Sequence, residues 1–239
     1  TGEEIYRALT QAGYSAFKVE ADESMWEVLR SNKPDVVFIA LHGRWGEDGT
    51  VQGMLELLGL PYTGSGVLAS ALGINKAMSK RIFQALNLDT PRFVSVKRQH
   101  KDKNRVLRQF LKEVGYPVVV KPCREGSAIG LSVIERGEEI AQALEQAFSY
   151  DDEAIVEEFV EGKEITIGIL GNDHPTVLPS LEIVYKRKTY DFEAKYTPGM
   201  SEHIIPARIS KVQEKRAKKL ALAVHHALDC RGFSRVDLI

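Results

Sequence analysis

The run Val118-Val119-Val120 ends in Lys121. A short loop follows, Pro122-Cys123-Arg124-Glu125-Gly126-Ser127-Ala128-Ile129-Gly130, and then a second apolar run from Leu131 to Ile134. A lysine at a strand end is a fixed cation. The loop adds backbone N–H groups, the Ser127 hydroxyl, and glycines where bulk or a negative φ would block close approach. The arrangement suits a polyphosphate lying between two antiparallel strands. It is neither G-x-x-x-x-G-K-[ST] nor G-x-G-x-x-G, so it is not the common phosphate loop or the dinucleotide fingerprint. On this pattern alone a plain surface turn is the competing explanation.

A second stretch, Ala154-Ile155-Val156-Glu157-Glu158-Phe159-Val160-Glu161-Gly162-Lys163-Glu164, delivers acids around an aromatic and an aliphatic residue. Such a strand end can read a nucleoside. The Glu157 carboxylate or a backbone carbonyl takes an adenine amino group, Phe159 and Val160 supply an apolar edge, and Glu164 grips ribose hydroxyls. A hinge with solvated acids is the alternative. Lys76 and Lys80, four residues apart, read by themselves as a solvated helix face. His42 follows an apolar strand and is either a binding group or a capped core histidine. Arg235 and Asp237 alternate along the last strand and share one face, as part of a site or as a structural ion pair. Cys123 has no activating partner in sequence and reads as a small filler.

Three units position these groups. Over residues 1–72, helical spacing at Ile5, Ala8, Leu9 and Ala12 precedes strands predicted at 15–19 and 35–41. Asp35-Val36-Val37-Phe38-Ile39-Ala40-Leu41 is continuously apolar, as a parallel strand buried on both faces would be. This predicts an open parallel α/β layer with its ligand at the strand's C-terminal end, where His42 falls. Over 73–158, strands at 92–96, 118–121, 131–134 and 154–157 alternate with helices near 104–114 and 137–148. Over 159–239, an alternating strand at 164–169 and another near 177–184 precede a long helix carrying Ala217, Leu220, Ala221, Val224 and Leu228 on one face. Thr189 to Ala207, polar and without clear periodicity, is a candidate lid.

The chain has 239 residues, a net charge of −1 and 44% hydrophobic residues. That balance gives no basic surface for nucleic acid or an anionic membrane, and no apolar run approaches the roughly 20 residues of a membrane span. Two distant cysteines argue against a disulfide framework and fit a reducing cytoplasm.

With these residues in view, the chain resembles the D-alanine–D-alanine ligase family of the ATP-grasp superfamily. The resemblance rests on Leu41-His42-Gly43, Gly46-Glu47-Asp48-Gly49, Gln52-Gly53, Tyr62-Thr63-Gly64-Ser65, Asn75-Lys76, Lys80, Val119-Val120-Lys121-Pro122, Arg124-Glu125-Gly126-Ser127, Phe192-Glu193-Ala194-Lys195-Tyr196 and Arg235-Val236-Asp237, in family order across nearly the whole chain. It implies an α/β (α+β) ATP-grasp fold, with a Rossmann-like N-terminal layer and two further subdomains clamping ATP. It implies that Lys76 and Lys121 hold ATP phosphates, that Glu157, Phe159 and Val160 meet adenine, and that Glu164 meets ribose. Asp237 matches a magnesium (or manganese) ligand, and Arg235 the arginine that steadies an acyl phosphate. His42 matches a residue beside the first D-alanine. Ser127, Lys195 and Tyr196 match lid and phosphate-loop groups, Lys195 also meeting ATP. The tyrosine favours D-alanine over D-lactate as second substrate. A cytoplasmic homodimer serving peptidoglycan synthesis is implied as well. The alternatives are an ATP-grasp carboxylate–amine ligase with another acceptor, or a non-catalytic nucleotide-binding module.

The family pattern includes a strand and glycine loop before the first helix, and a Glu-x-Asn pair after the Arg-Val-Asp strand. Neither is among these residues, so the expectation is that the chain is part of a longer protein, inactive by itself. Ala128 stands where many relatives carry a second serine.

Overall fold

A computed structural model describes residues 2–185 and 201–239. Two antiparallel sheets form its centre. The first has the order β1-β4-β2-β3, from β1 (Phe93–Lys97), β2 (Val118–Pro122), β3 (Ser132–Ile134) and β4 (Glu153–Glu158). Val118, Val120, Ala154 and Val156 point to one face. There they pack with Leu107 and Phe110 of α6 (Lys103–Val114) and Ala143, Leu144, Ala147 and Phe148 of α7 (Ile140–Phe148). Period 2 sends Lys121, Ile155 and Glu157 to the opposite face. Ile155 packs there with Phe93, Cys123 and Ala77 of α5 (Lys76–Ala85).

The second sheet is built on β5 (Glu164–Leu170). It pairs with β6 (Thr176–Val177), with β7 (Leu181–Tyr185) and with the last strand, β9 (Phe233–Leu238); β8 (Ser201–Ile204) extends β7. Ile167 and Ile169 are fully buried against Ala217 and Ala221 of α8 (Lys211–Ala227). Ser210 and Gln213 close the start of α8 in a capping box. The other face of β5 carries Glu164 and Thr166.

The N-terminal unit holds α1 (Gly2–Gln11), α2 (Met25–Asn32) and α3 (Thr50–Leu58), with α4 (Val67–Ile74) leading into the central unit. Here the sequence expectation needs correction. The 35–41 run makes a single parallel bridge, Val37 to Tyr62, and 15–19 forms no strand. The continuous apolarity of 35–41 predicts burial on both faces. Instead Val37, Ile39 and Leu41 turn into a cluster with Leu29, Val51 and Leu55, while Val36 and Phe38 are 57% and 47% exposed. Only the face of Val37, Ile39 and Leu41 is packed, so alternate residues of the run stay in solvent.

Three smaller features have local causes. Helices α4 and α5 are separated at Asn75, whose extended backbone ends α4 and whose side chain accepts the Met78 N–H at 3.0 Å to start α5. The strand expected at 177–184 is two short ones, β6 and β7. The described end of the expected lid, 201–204, is a paired strand, with Ala207 N–H bonded to Ser180 O at 3.0 Å.

Ile167 tests the second sheet's core. Ile167→Ala should lower unfolding free energy by about 2–5 kcal/mol, cavity included, read from denaturant midpoints at unchanged slope.

Candidate functional site

The first sheet's inner face holds a charged cluster. Glu157 is 7% exposed. In the antiparallel pairing of β2 with β4, Lys121 faces Ile155 and Val119 faces Glu157, so Lys121 and Glu157 are diagonal neighbours on one face. Lys121 Nζ donates to Glu157 Oε1. The other oxygen, Oε2, lies 3.1 Å from Lys80 Nζ. Burial pushes the Glu157 carboxyl up, and the two ammonium groups more than offset it, holding the group below the ordinary carboxylate range.

Lys76 begins α5 beside this cluster. Its N–H donates to the Cys123 carbonyl at 3.0 Å, which ties the helix start to the end of β2. Its Nζ donates to the Glu125 carbonyl and, at 3.4 Å, to that of Cys123. Burial, then repulsion from Lys121, lowers the Lys76 ammonium to about 8. Neither Lys76 nor Lys80 is the solvated residue that their spacing suggested. The Cys123 thiol is fully buried and donates to Asn75 Oδ1 at 3.1 Å; burial pushes its pKa up, as suits a filler.

The loop after β2 is tightly specified. Ser127 and Ala128 sit at φ 52° and 59°, a region costly for residues with a Cβ. Gly130, at φ 68°, has room for none: a Cβ there would lie 2.8 Å from both Pro122 and Tyr150. Asp151 anchors the loop's first residue. It accepts the Arg124 backbone N–H at 2.8 Å, the Arg124 guanidinium, and the Glu153 N–H at 3.1 Å.

The N-terminal unit reaches this loop through Glu47. Glu47 Oε2 accepts the Gly43 N–H at 2.7 Å and lies 4.0 Å from where a Cβ on Gly126 would be. His42 Nδ1 is 3.9 Å from Glu47 Oε1, and the His42 side chain is 74% exposed, so it is no core histidine. A cavity of about 480 Å³ opens between Arg44 and Asp48 of the same turn, Arg124 and Glu125 of the loop, and residues 149–152. Neither Lys76 nor Lys121 lines it.

The face of the second sheet turned away from α8 carries Glu164, Thr166, Arg235 and Asp237. Arg235 faces Gly168 and Asp237 faces Thr166 across β5 and β9. Asp237 accepts the Thr166 hydroxyl at 2.7 Å and Arg235 Nη2 at 3.0 Å, and both charged residues are exposed. Tyr185 donates its hydroxyl to Glu164 at 2.9 Å. Between the sheets, Phe159 is 38% exposed and Val160 half-buried. Among the described residues no group of three or more His, Cys, Asp or Glu gathers to hold a metal. Asp237 alone, already paired, does not supply the octahedral oxygen set that magnesium requires. Lys195 and Tyr196 lie outside the described residues, as do Phe192 and Glu193.

Sequence reasoning missed Lys80 as a buried group, with its partner Thr90, and it missed Asp151. Lys80 lies one turn after Lys76 on α5, a spacing that also fits a buried face. Asp151 carried no signal in the pattern.

Two family models match the chain: one described as the D-ala D-ala ligase N-terminus over residues 1–65, the other as the D-ala D-ala ligase C-terminus over residues 82–239. The D-alanine–D-alanine ligase of Pelotomaculum thermopropionicum is 48% identical over the whole chain, which spans 76% of that protein. That of Carboxydothermus hydrogenoformans is 44% identical, again over the whole chain and 77% of the relative. Among solved structures, the Bacillus anthracis D-alanine–D-alanine ligase complexed with ATP superposes with a TM-score of 0.81 at 30% identity, over 100% of this chain and 75% of the other. The VanG D-Ala:D-Ser ligase of Enterococcus faecalis gives 0.75 at 37% identity, over 85% of this chain and 59% of the other.

A site that uses a charged Lys76 to hold an anion weakens as pH rises through about 8. The protonated amine binds; an anion raises its pKa and pulls the proton back on. ATP affinity should therefore be flat below about pH 7 and fall about tenfold per pH unit above pH 8, read by calorimetry on the intact protein. Lys76→Met should remove that dependence.

Proposed function

The chain belongs to the D-alanine–D-alanine ligase family, and on that premise we propose how its residues perform the reaction. The family's activity is ATP-dependent carbon–nitrogen bond formation joining two D-alanines to D-alanyl-D-alanine for peptidoglycan synthesis. One D-alanine carboxylate takes the γ-phosphoryl group of ATP, and the amine of the second displaces phosphate. Donor and acceptor are both anions, so the chemistry needs cations held where charge develops. The observation that carries this reading is the docking of Lys76 at the end of β2, two residues past Lys121, where its N–H bonds the Cys123 carbonyl at 3.0 Å and its Nζ bonds the carbonyls of Cys123 and Glu125 at the root of the 124–130 loop.

In the proposal Lys76 and Lys121 bind the phosphates, with the Ser127 hydroxyl and the loop's N–H groups beside them. Glu157, Phe159 and Val160 meet adenine, and Glu164 the ribose. Arg235 steadies the acyl phosphate and the tetrahedral species that follows. His42, 3.9 Å from Glu47, lies by the first D-alanine. Lys195 and Tyr196 close over the substrates, Lys195 also reaching ATP, so that water does not destroy the acyl phosphate. Magnesium (or manganese) enters as the companion of ATP. The described residues offer it the single carboxylate of Asp237, and no step here runs through it. The proposed units are 1–72, 73–158 and 159–239. By the same resemblance the protein is a cytoplasmic homodimer. No helix among the described residues is long and apolar enough to cross a membrane.

The second acceptor is the open choice, since one solved structure similar to this chain is a D-Ala:D-Ser ligase. Phosphate release by the intact enzyme over D-alanine, D-serine and D-lactate decides it. D-Alanine should be the preferred second substrate, and a preference for D-lactate at neutral pH would refute the role given to Tyr196. Arg235→Ala should lower kcat about 10²- to 10³-fold with little change in KM for ATP.

A further inference from the structure

The proposed phosphate and adenine contacts employ Lys121 and Glu157 and leave Lys80 without a task. Lys80 is the more deeply placed of the two lysines on Glu157: its side chain is 8% exposed, against 22% for Lys121. It is also the more firmly held. Its Nζ lies 3.1 Å from Glu157 Oε2, donates to Thr90 Oγ1 at 2.8 Å, and stands 5.2 Å from the centre of the Phe93 ring. Lys121 takes the other oxygen of the same carboxylate. The buried carboxylate thus divides its two oxygens between a fixed cation from α5 and a less buried one from β2.

That division matters once a nucleotide arrives. A phosphate that draws Lys121 toward itself weakens its hold on Glu157, and a buried carboxylate left without a counter-ion is costly. With Lys80 in place the carboxylate keeps one full partner. Without it, Lys121 is the sole counter-ion, and the phosphates must compete with Glu157 for it.

We propose that Lys80 is a positioning residue, the resident counter-ion that holds Glu157 in place so that Lys121 is free to turn to the nucleotide phosphates. This rests on the reading of Lys121 as a phosphate ligand. Lys80 itself touches no substrate. Its effect is confined to the nucleotide half of the reaction, which separates it from a merely structural lysine.

Steady-state kinetics of the intact enzyme test it. Lys80→Met should raise KM for ATP roughly 10- to 100-fold, while kcat at saturating ATP and KM for D-alanine stay within about threefold of wild type. Lys80→Arg, which keeps the charge, should bring KM for ATP most of the way back. Should Lys80→Met fail to fold, Thr90→Val keeps both charges and loosens only the hold on Lys80; it should raise KM for ATP about threefold and leave KM for D-alanine unchanged. An unchanged KM for ATP in whichever of these folds overturns the proposal. So does an Arg variant as impaired as the Met variant, or a rise in both KM values together. Lys121→Met in the same assay separates the two claims. If it raises KM for ATP and Lys80→Met does not, this inference alone fails. If it leaves KM for ATP unchanged, the phosphate role of Lys121 fails and the inference falls with it.

Discussion

Cations gathered for an anion repel one another until the anion arrives, and burial sharpens the repulsion because water no longer screens it. Lys76, Lys80 and Lys121 meet this constraint around one carboxylate. Glu157 partners two of them directly. Lys76, whose ammonium bonds only backbone carbonyls among the described partners, bears the cost as a proton held less tightly than in water. Charge is therefore paired at Glu157 and only hydrogen-bonded, by backbone carbonyls, at Lys76. Lys76, beside the 124–130 loop, is where a negative ligand gains most from binding.

The fold serves this arrangement through two sheets of the same design. Each buries alternate apolar residues against helices, Val118 and Val156 in one and Ile167 and Ile169 in the other. On the opposite faces lie Lys121 and Glu157 of one sheet and Glu164, Arg235 and Asp237 of the other. The turn at 159–163 joins β4 to β5, so Glu157 and Glu164 flank it. Asn75 sets the start of α5, and the Lys76 N–H on Cys123 O locks that start to the end of β2. A strand end and a helix start thereby deliver the two phosphate-binding candidates from positions 45 residues apart in the chain. Asp151 does the same for the loop, holding Arg124 by backbone and side chain together.

Much of this was legible in the sequence where the signal is local. The strand ending in Lys121, the alternation that puts Arg235 and Asp237 on one face, and the helix at 104–114 all follow from period and spacing. What was not legible depends on which strands become neighbours. Lys121 reaches Glu157 only because β4 inserts between β1 and β2, a pairing that no single stretch announces. Lys80 has the spacing of a solvated lysine and is buried because Glu157 and Thr90 come from elsewhere. The 35–41 run shows the converse error: continuous apolarity promised burial on both faces, and only the side of Val37, Ile39 and Leu41 is packed, with Val36 and Phe38 exposed. The residues from 186 to 200, which include Lys195 and Tyr196, lie outside the described part of the chain, so the roles read for them rest on resemblance.

A crystal structure of the intact protein with a non-hydrolysable ATP analogue tests the central claim most directly. Phosphate oxygens should lie within about 3 Å of both Lys76 Nζ and Lys121 Nζ, with Lys121 drawn away from Glu157. A triphosphate bound elsewhere, or one touching neither lysine, would contradict it.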